Sequence, residues 1–225
     1  MQPDNQRAFH SGPEMKRTRV SFPCGELLLE GILAIPEGAG PYPAVIVCHP
    51  HPLYGGSMDN NVVYSLCRTL TQASLVSFKF NFRGVGRSQG EFGHGTGEQE
   101  DVKAAISFIS TVKEVDSKRI GLAGYSAGAG FALPVGFNDG RITALAAVSP
   151  PLSIFDFDFL KSCPKPKLLI SGSRDDLIPT DQFLEFCQNL PEPKEYVSIE
   201  GADHFWWDYE SGLAAKVTAF FTRVL

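Results

Sequence analysis

The sequence predicts an α/β fold in which a mostly parallel central sheet of about seven or eight strands carries helices on both faces. Three observations predict it. Short apolar runs rich in β-branched residues alternate with segments of helical periodicity. The alternation follows an opening pair of strands, bracketed by the turn residues Pro23-Cys24-Gly25 and by Pro36. The apolar run over residues 120–123 then stops at Gly124, in the strand-to-helix junction Gly124-Tyr125-Ser126-Ala127-Gly128.

Taken in order, the opening strands cover residues 18–22 and 27–35. Residues 44–48 follow Pro41 and Pro43 and are continuously apolar, as in a strand covered on both faces. Asp59 stands where it can cap a helix reaching Gln72. Residues 75–82 form the next strand, closed by Arg83-Gly84-Val85-Gly86-Arg87-Ser88-Gln89-Gly90. Over residues 97–113, Val102, Ala105, Ile106 and Ile109 recur on one helical face. The helix after Ser126 contains Pro134, which should kink or end it by removing a backbone bond. Strands at 142–148, 167–170 and 195–199 and helices at 181–190 and 213–224 complete the pattern. Residues 1–16 are polar, with Pro3, Gly12 and Pro13, and are expected to form a flexible tail rather than a signal peptide. A single domain, 17–225, is expected to follow.

Composition narrows the function. The 20 Lys and Arg against 25 Asp and Glu give a net charge of −5, with no basic run along the chain. Nucleic acid and anionic membrane surfaces are therefore poor partners. No stretch approaches the roughly 20 apolar residues of a membrane helix. The five cysteines, Cys24, Cys48, Cys67, Cys163 and Cys187, are widely spaced without a C-x-x-C. They read as reduced thiols of a cytoplasmic protein. Nothing in the sequence fixes the oligomeric state.

The chemistry-bearing residues fall in loops that a parallel sheet would gather beyond its carboxyl ends. Gly124-x-Ser126-x-Gly128 fits a tight turn that lifts a serine above the sheet, with glycines where side chains would collide. The loop 171–179 offers Asp175 or Asp176, and the loop 200–207 offers His204. A serine hydroxyl is too weak an acid to attack a carbonyl unaided. It needs a histidine to take its proton and a carboxylate to hold that histidine in one tautomer.

The chain resembles the α/β-hydrolase superfamily over essentially everything after the tail. Gly-Tyr-Ser-Ala-Gly at 124–128, Gly-Ser-Arg-Asp-Asp-Leu-Ile-Pro at 172–179 and Gly-Ala-Asp-His-Phe at 201–205 carry the likeness. His49-Pro50-His51-Pro52 with Gly55-Gly56 is similar to a compact bacterial branch related to dienelactone-hydrolase-like proteins and short-chain carboxylesterases. A dienelactone hydrolase proper would carry cysteine where this chain has Ser126. The resemblance implies an α/β-hydrolase fold with minimal or no cap and a Ser126-Asp175-His204 triad. It implies backbone N–H donors from His51 and Ala127 for an oxyanion hole, and no cofactor. The implied substrate is a small-molecule ester, cleaved through an acyl-enzyme. Thioesterase, lactonase or amidase activity, or ligand binding without catalysis, are the alternatives.

Several residues carry two readings. His49 and His51 can be metal ligands or loop-bonding residues, and no third ligand stands at a recognisable spacing. Gly84-Val85-Gly86 is like a dinucleotide fingerprint, but Gln89 stands where the third glycine belongs. Tyr54, Tyr125, Phe155 and Trp206 are candidates to line a substrate pocket. Trp206 or Trp207 can equally pack the last helix, and residues 154–160 can form a short lid or simply bury their phenylalanines.

Overall fold

The computed structural model describes residues 15–225. The tail expected over residues 1–16 lies, up to residue 14, outside the described residues, and Lys16 opens the first strand. Among the described residues eight strands form one sheet: β1 (Lys16–Cys24), β2 (Leu27–Ile35), β3 (Tyr42–Cys48), β4 (Val76–Phe80), β5 (Val115–Tyr125), β6 (Ile142–Val148), β7 (Lys167–Gly172) and β8 (Lys194–Ile199). Their order is β1-β2-β4-β3-β5-β6-β7-β8. The pairs β1/β2 and β2/β4 are antiparallel, and every pair from β4 to β8 is parallel. The helices are α1 (Asn61–Gln72), α2 (Thr96–Ser110), α3 (Ala127–Asn138), α4 (Thr180–Gln188) and α5 (Glu210–Val224).

Each face of the sheet has its own core. Phe22, Phe78, Phe80 and Ile46 pack with residues of α2, α3 and α4 on one side, and Val45, Val47 and Ile170 with α1 and α5 on the other. Fully burying one such side chain contributes roughly 1.5–3 kcal/mol. The parallel strands β3 and β6 are therefore apolar almost throughout. The polar face of β1 looks to solvent, with Arg17 and Arg19 exposed, and the strand runs two residues beyond the expected 18–22 at each end. Among the described residues no helix is long and apolar enough to cross a membrane. All five cysteines are buried and unbridged.

One local expectation is corrected, and two that held alternatives are narrowed. Asn60, not Asp59, caps α1: its Oδ1 accepts from the N–H groups of Val62 and Val63 at 3.0 and 3.5 Å. Asp59 instead pairs with Lys79 Nζ at 3.0 Å. Pro134 does not end α3, which continues to Asn138. Its last turn is held from outside by Lys165, whose Nζ donates to the carbonyls of Gly136 and Asp139, and from within by Asn138 Nδ2, which donates to that of Pro134. Finally, the segment after β6 forms a 3₁₀ turn at Asp158–Ser162 with Phe157 and Leu160 buried beneath it.

The topology decides where chemistry can happen. After β3 the chain moves to β4 on one side, then returns to place β5 on the other side of β3. That reversal opens a crevice beyond the carboxyl ends of β3 and β5. The loop 49–56 leaves β3 there, and Ser126 stands at the end of β5.

Candidate active site

The turn after β5 holds Ser126 at φ 54° and ψ −126°, a region an L-residue enters only under constraint. Its N–H donates to Val148 O at 2.8 Å, and its own carbonyl accepts from Ala129 N–H at 2.9 Å. The flanking glycines are required by space. A Cβ at Gly124 would come within 3.0 Å of the Ala129 backbone, and one at Gly128 within 3.0 Å of the carbonyl oxygens of Cys48 and His49. Ala127 opens α3, and the N–H groups of a helix's first turn have no intrahelical partner.

Two further loops converge on the serine. His204 Nε2 lies 2.9 Å from Ser126 Oγ. His204 Nδ1 lies 3.0 and 2.9 Å from the two carboxylate oxygens of Asp175. Both His204 and Asp175 are buried, whereas Asp176 is exposed. Asp175 is itself held, accepting the Leu177 N–H at 3.1 Å through Oδ1. The histidine loop is fixed from both ends. Asp203 Oδ1 accepts the N–H groups of Phe205 and Trp206 at 2.9 and 2.8 Å, and Tyr125 OH donates to His204 O at 2.7 Å. Burial, and then the charges of Asp175 and Asp203, push the Tyr125 phenol well above its ordinary value, so it stays a donor.

The third wall is the loop 49–56. His51 O accepts the N–H groups of Tyr54 and Gly56, both at 3.1 Å. The His51 ring accepts Leu53 N–H through Nδ1 and packs 4.8 Å from Tyr54 and 5.0 Å from Phe92. Its partial burial lowers its pKa against the opposing charge of Glu98. His49 is fully buried behind it. Phe82 N–H donates to His49 Nε2 at 3.1 Å, so Nδ1 carries the proton and donates to Pro50 O at 2.7 Å. Among the described residues no group of three or more His, Cys, Asp and Glu is arranged to hold a metal.

His49 gives the protein a pH signature. Burial holds its pKa down at about 4 from the ordinary 6.5, with the bond to Pro50 opposing. Between those values the unfolded chain binds a proton that the folded chain does not. Stability is therefore complete above the upper value and is lost as pH falls towards the lower one. The full loss is on the order of 3 kcal/mol. Urea unfolding at about pH 7 and about pH 4.5 is expected to show a larger drop for the unmodified protein than for His49→Gln, which has no titrating ring.

Around Ser126 and His204 lies a cleft of about 320 Å³, bordered by His51, Tyr54, Leu177 and Phe205. Tyr54 is 88% exposed at its rim. Of the other expected lining residues, Tyr125 touches the cleft but spends its hydroxyl on His204. Trp206 does not border it. Its side chain is fully buried in the core shared with α5, donating from Nε1 to Ser149 Oγ at 3.0 Å. Phe155 also lies elsewhere, edge-on to Phe131 at 5.3 Å and packed on Gly130. Leu177 and Phe205 were missed by sequence reasoning. The signal available was their position, Leu177 two residues after Asp175 and Phe205 directly after His204.

Residues 98–225 match the PET hydrolase-like family. A solved α/β serine hydrolase homologue from Coxiella burnetii is 33% identical, with a TM-score of 0.80, covering 92% of this chain and 97% of that one. A serine hydrolase without a lid from Xanthomonas campestris is 28% identical, with a TM-score of 0.81 over 93% and 95% of the two chains. An uncharacterized protein of Rickettsia prowazekii is 34% identical over 172 residues, 73% of this chain and 72% of the relative. The chain spans 64% of the length of a related uncharacterized Mycobacterium tuberculosis protein.

Proposed function

This chain belongs to the PET hydrolase-like family of the α/β-hydrolase superfamily, and from that membership and the cleft geometry we propose that it is a serine hydrolase of carboxylic esters with small acyl groups. The observation that carries the reading is the continuous chain of contacts from Ser126 Oγ through the His204 ring to Asp175. His204 Nε2 takes the serine proton as Oγ attacks the ester carbonyl carbon. Asp175 keeps the imidazole proton on Nδ1 and stabilises the imidazolium that forms. The resulting oxyanion is held by the backbone N–H groups of Ala127 and His51. Collapse of this intermediate expels the alcohol, which leaves with the proton from His204, and Ser126 is left acylated. A water then repeats the sequence, releasing the carboxylic acid and restoring the serine. No cofactor takes part, and His49 stays neutral outside the chemistry.

The cleft supports small acyl groups. Phe157 and Leu160 are buried in the sheet's core rather than folded over Ser126, so the cleft mouth stays open. The first methylenes of an acyl chain gain roughly 0.8 kcal/mol each on burial, and later ones stay in water. Across C2 to C16 p-nitrophenyl esters below their micellar range, kcat/KM is expected to rise to about butyryl or hexanoyl and then level off. A climb continuing to C12 would contradict the open cleft. Thioesters and lactones run beside the esters would expose a different preference for the same site.

A further inference from the structure

A second cavity, sharing no residue with the cleft, lies where α1 crosses the antiparallel end of the sheet. Its volume is about 150 Å³, a size that admits a single aromatic ring or a short acyl chain. No basic run in the sequence announces it, yet three cations from three separate segments meet there: Arg17 from β1, Arg68 from α1 and Lys79 from β4. The Tyr64 ring joins two of them, with the Arg17 guanidinium 5.7 Å and the Lys79 ammonium 5.6 Å from its centroid. Ile32, Ala34 and Cys67 supply the apolar wall.

The charge of this cavity is unbalanced. Lys79 is buried and donates to Met58 O at 2.8 Å and to Asp59 Oδ1 at 3.0 Å, and an ammonium has a third N–H to give. Among the described residues Asp59 is the single carboxylate of the lining, and its side chain is 66% exposed. Among the described residues neither Arg17 nor Arg68 has a carboxylate within ion-pairing distance. Two guanidinium groups and a buried ammonium around an apolar wall match an anion that also carries a small apolar body. Inorganic phosphate satisfies only the first half of that description.

We propose that this cavity binds a small organic carboxylate, its charged end towards Arg17, Arg68 and Lys79 and its ring or short chain against Ile32, Ala34 and Cys67. Arginine forks suit the planar carboxylate, and the Tyr64 face holds Arg17 and Lys79 in position. The site is independent of the chemistry assigned to Ser126.

Titrating benzoate into the isotopically labelled full chain, followed by amide chemical shifts, tests it. Saturable shifts are expected at residues 32–34, 64–68 and 77–79. Arg17→Gln/Arg68→Gln, both at exposed positions, is expected to keep the thermal midpoint and weaken benzoate about tenfold or more. Benzyl alcohol, without the charge, and inorganic phosphate, without the ring, should each bind at least about tenfold more weakly than benzoate. Shifts confined to the Ser126 and His204 cleft, or no saturation at all, would overturn the proposal. So would unchanged affinity in the double variant, or benzyl alcohol or phosphate binding as well as benzoate.

Discussion

Replacing Ser126 with alanine is expected to lower p-nitrophenyl butyrate turnover by about 10⁴–10⁶-fold while the protein stays folded. The two halves of that result have separate causes. Turnover falls because, among the described residues, no other hydroxyl is hydrogen-bonded to His204 Nε2. The fold survives because the turn rests on Gly124, Gly128 and the Ser126 backbone bond to Val148 O, none of which involves the side chain. Alanine fits the same positive-φ position with no larger Cβ demand than serine. Circular dichroism and thermal unfolding alongside the assay separate the two. Retention of more than a few per cent of turnover would remove Ser126 from the role proposed for it.

The second large effect distinguishes two adjacent carboxylates. Asp175→Asn is expected to lower kcat by about 10⁴-fold, whereas Asp176→Asn should remain close to the unmodified protein. An asparagine at 175 can turn its amide N–H groups towards His204 Nδ1. The ring proton then moves to Nε2, which can no longer accept from Ser126. Asp176 is exposed and makes no bond to the histidine. Because the Asp175 change leaves the cleft wall intact, the loss should fall on kcat with little change in KM. Equal losses at both positions would point to damage of the loop rather than to the tautomer.

Much of this was legible in the sequence wherever the cause is local. Gly124 precedes Ser126 because of its close approach to Ala129 within one turn, and a strand ending in small residues reveals such a turn, although Gly128 owes its place to Cys48 and His49 at the end of β3. The buried parallel strands β3 and β6 are apolar runs because helices cover both their faces, which composition reports directly. What was not legible depends on partners far along the chain. Asp59 and Asn60 are equally good caps by type, and only the meeting of Asp59 with Lys79 on β4 decides between them. Pro134 reads as a helix end until Lys165, 31 residues further on, is seen donating to the turn beyond it. Trp206 and Phe205 are adjacent aromatics, and the strained loop at Trp206, with φ 64°, turns one into the core and the other out to the cleft. The Arg17, Arg68 and Lys79 cluster belongs with these. It exists only once β1, α1 and β4 are brought together.

Covalent trapping tests whether Ser126 is an activated nucleophile. Intact-mass analysis after a short exposure to a fluorophosphonate, followed by peptide mapping, is expected to show one adduct on the peptide containing Ser126. His204→Ala should slow its formation by orders of magnitude, since the base that activates the serine is gone. An unlabelled protein, or an adduct on any other residue, would contradict an activated Ser126.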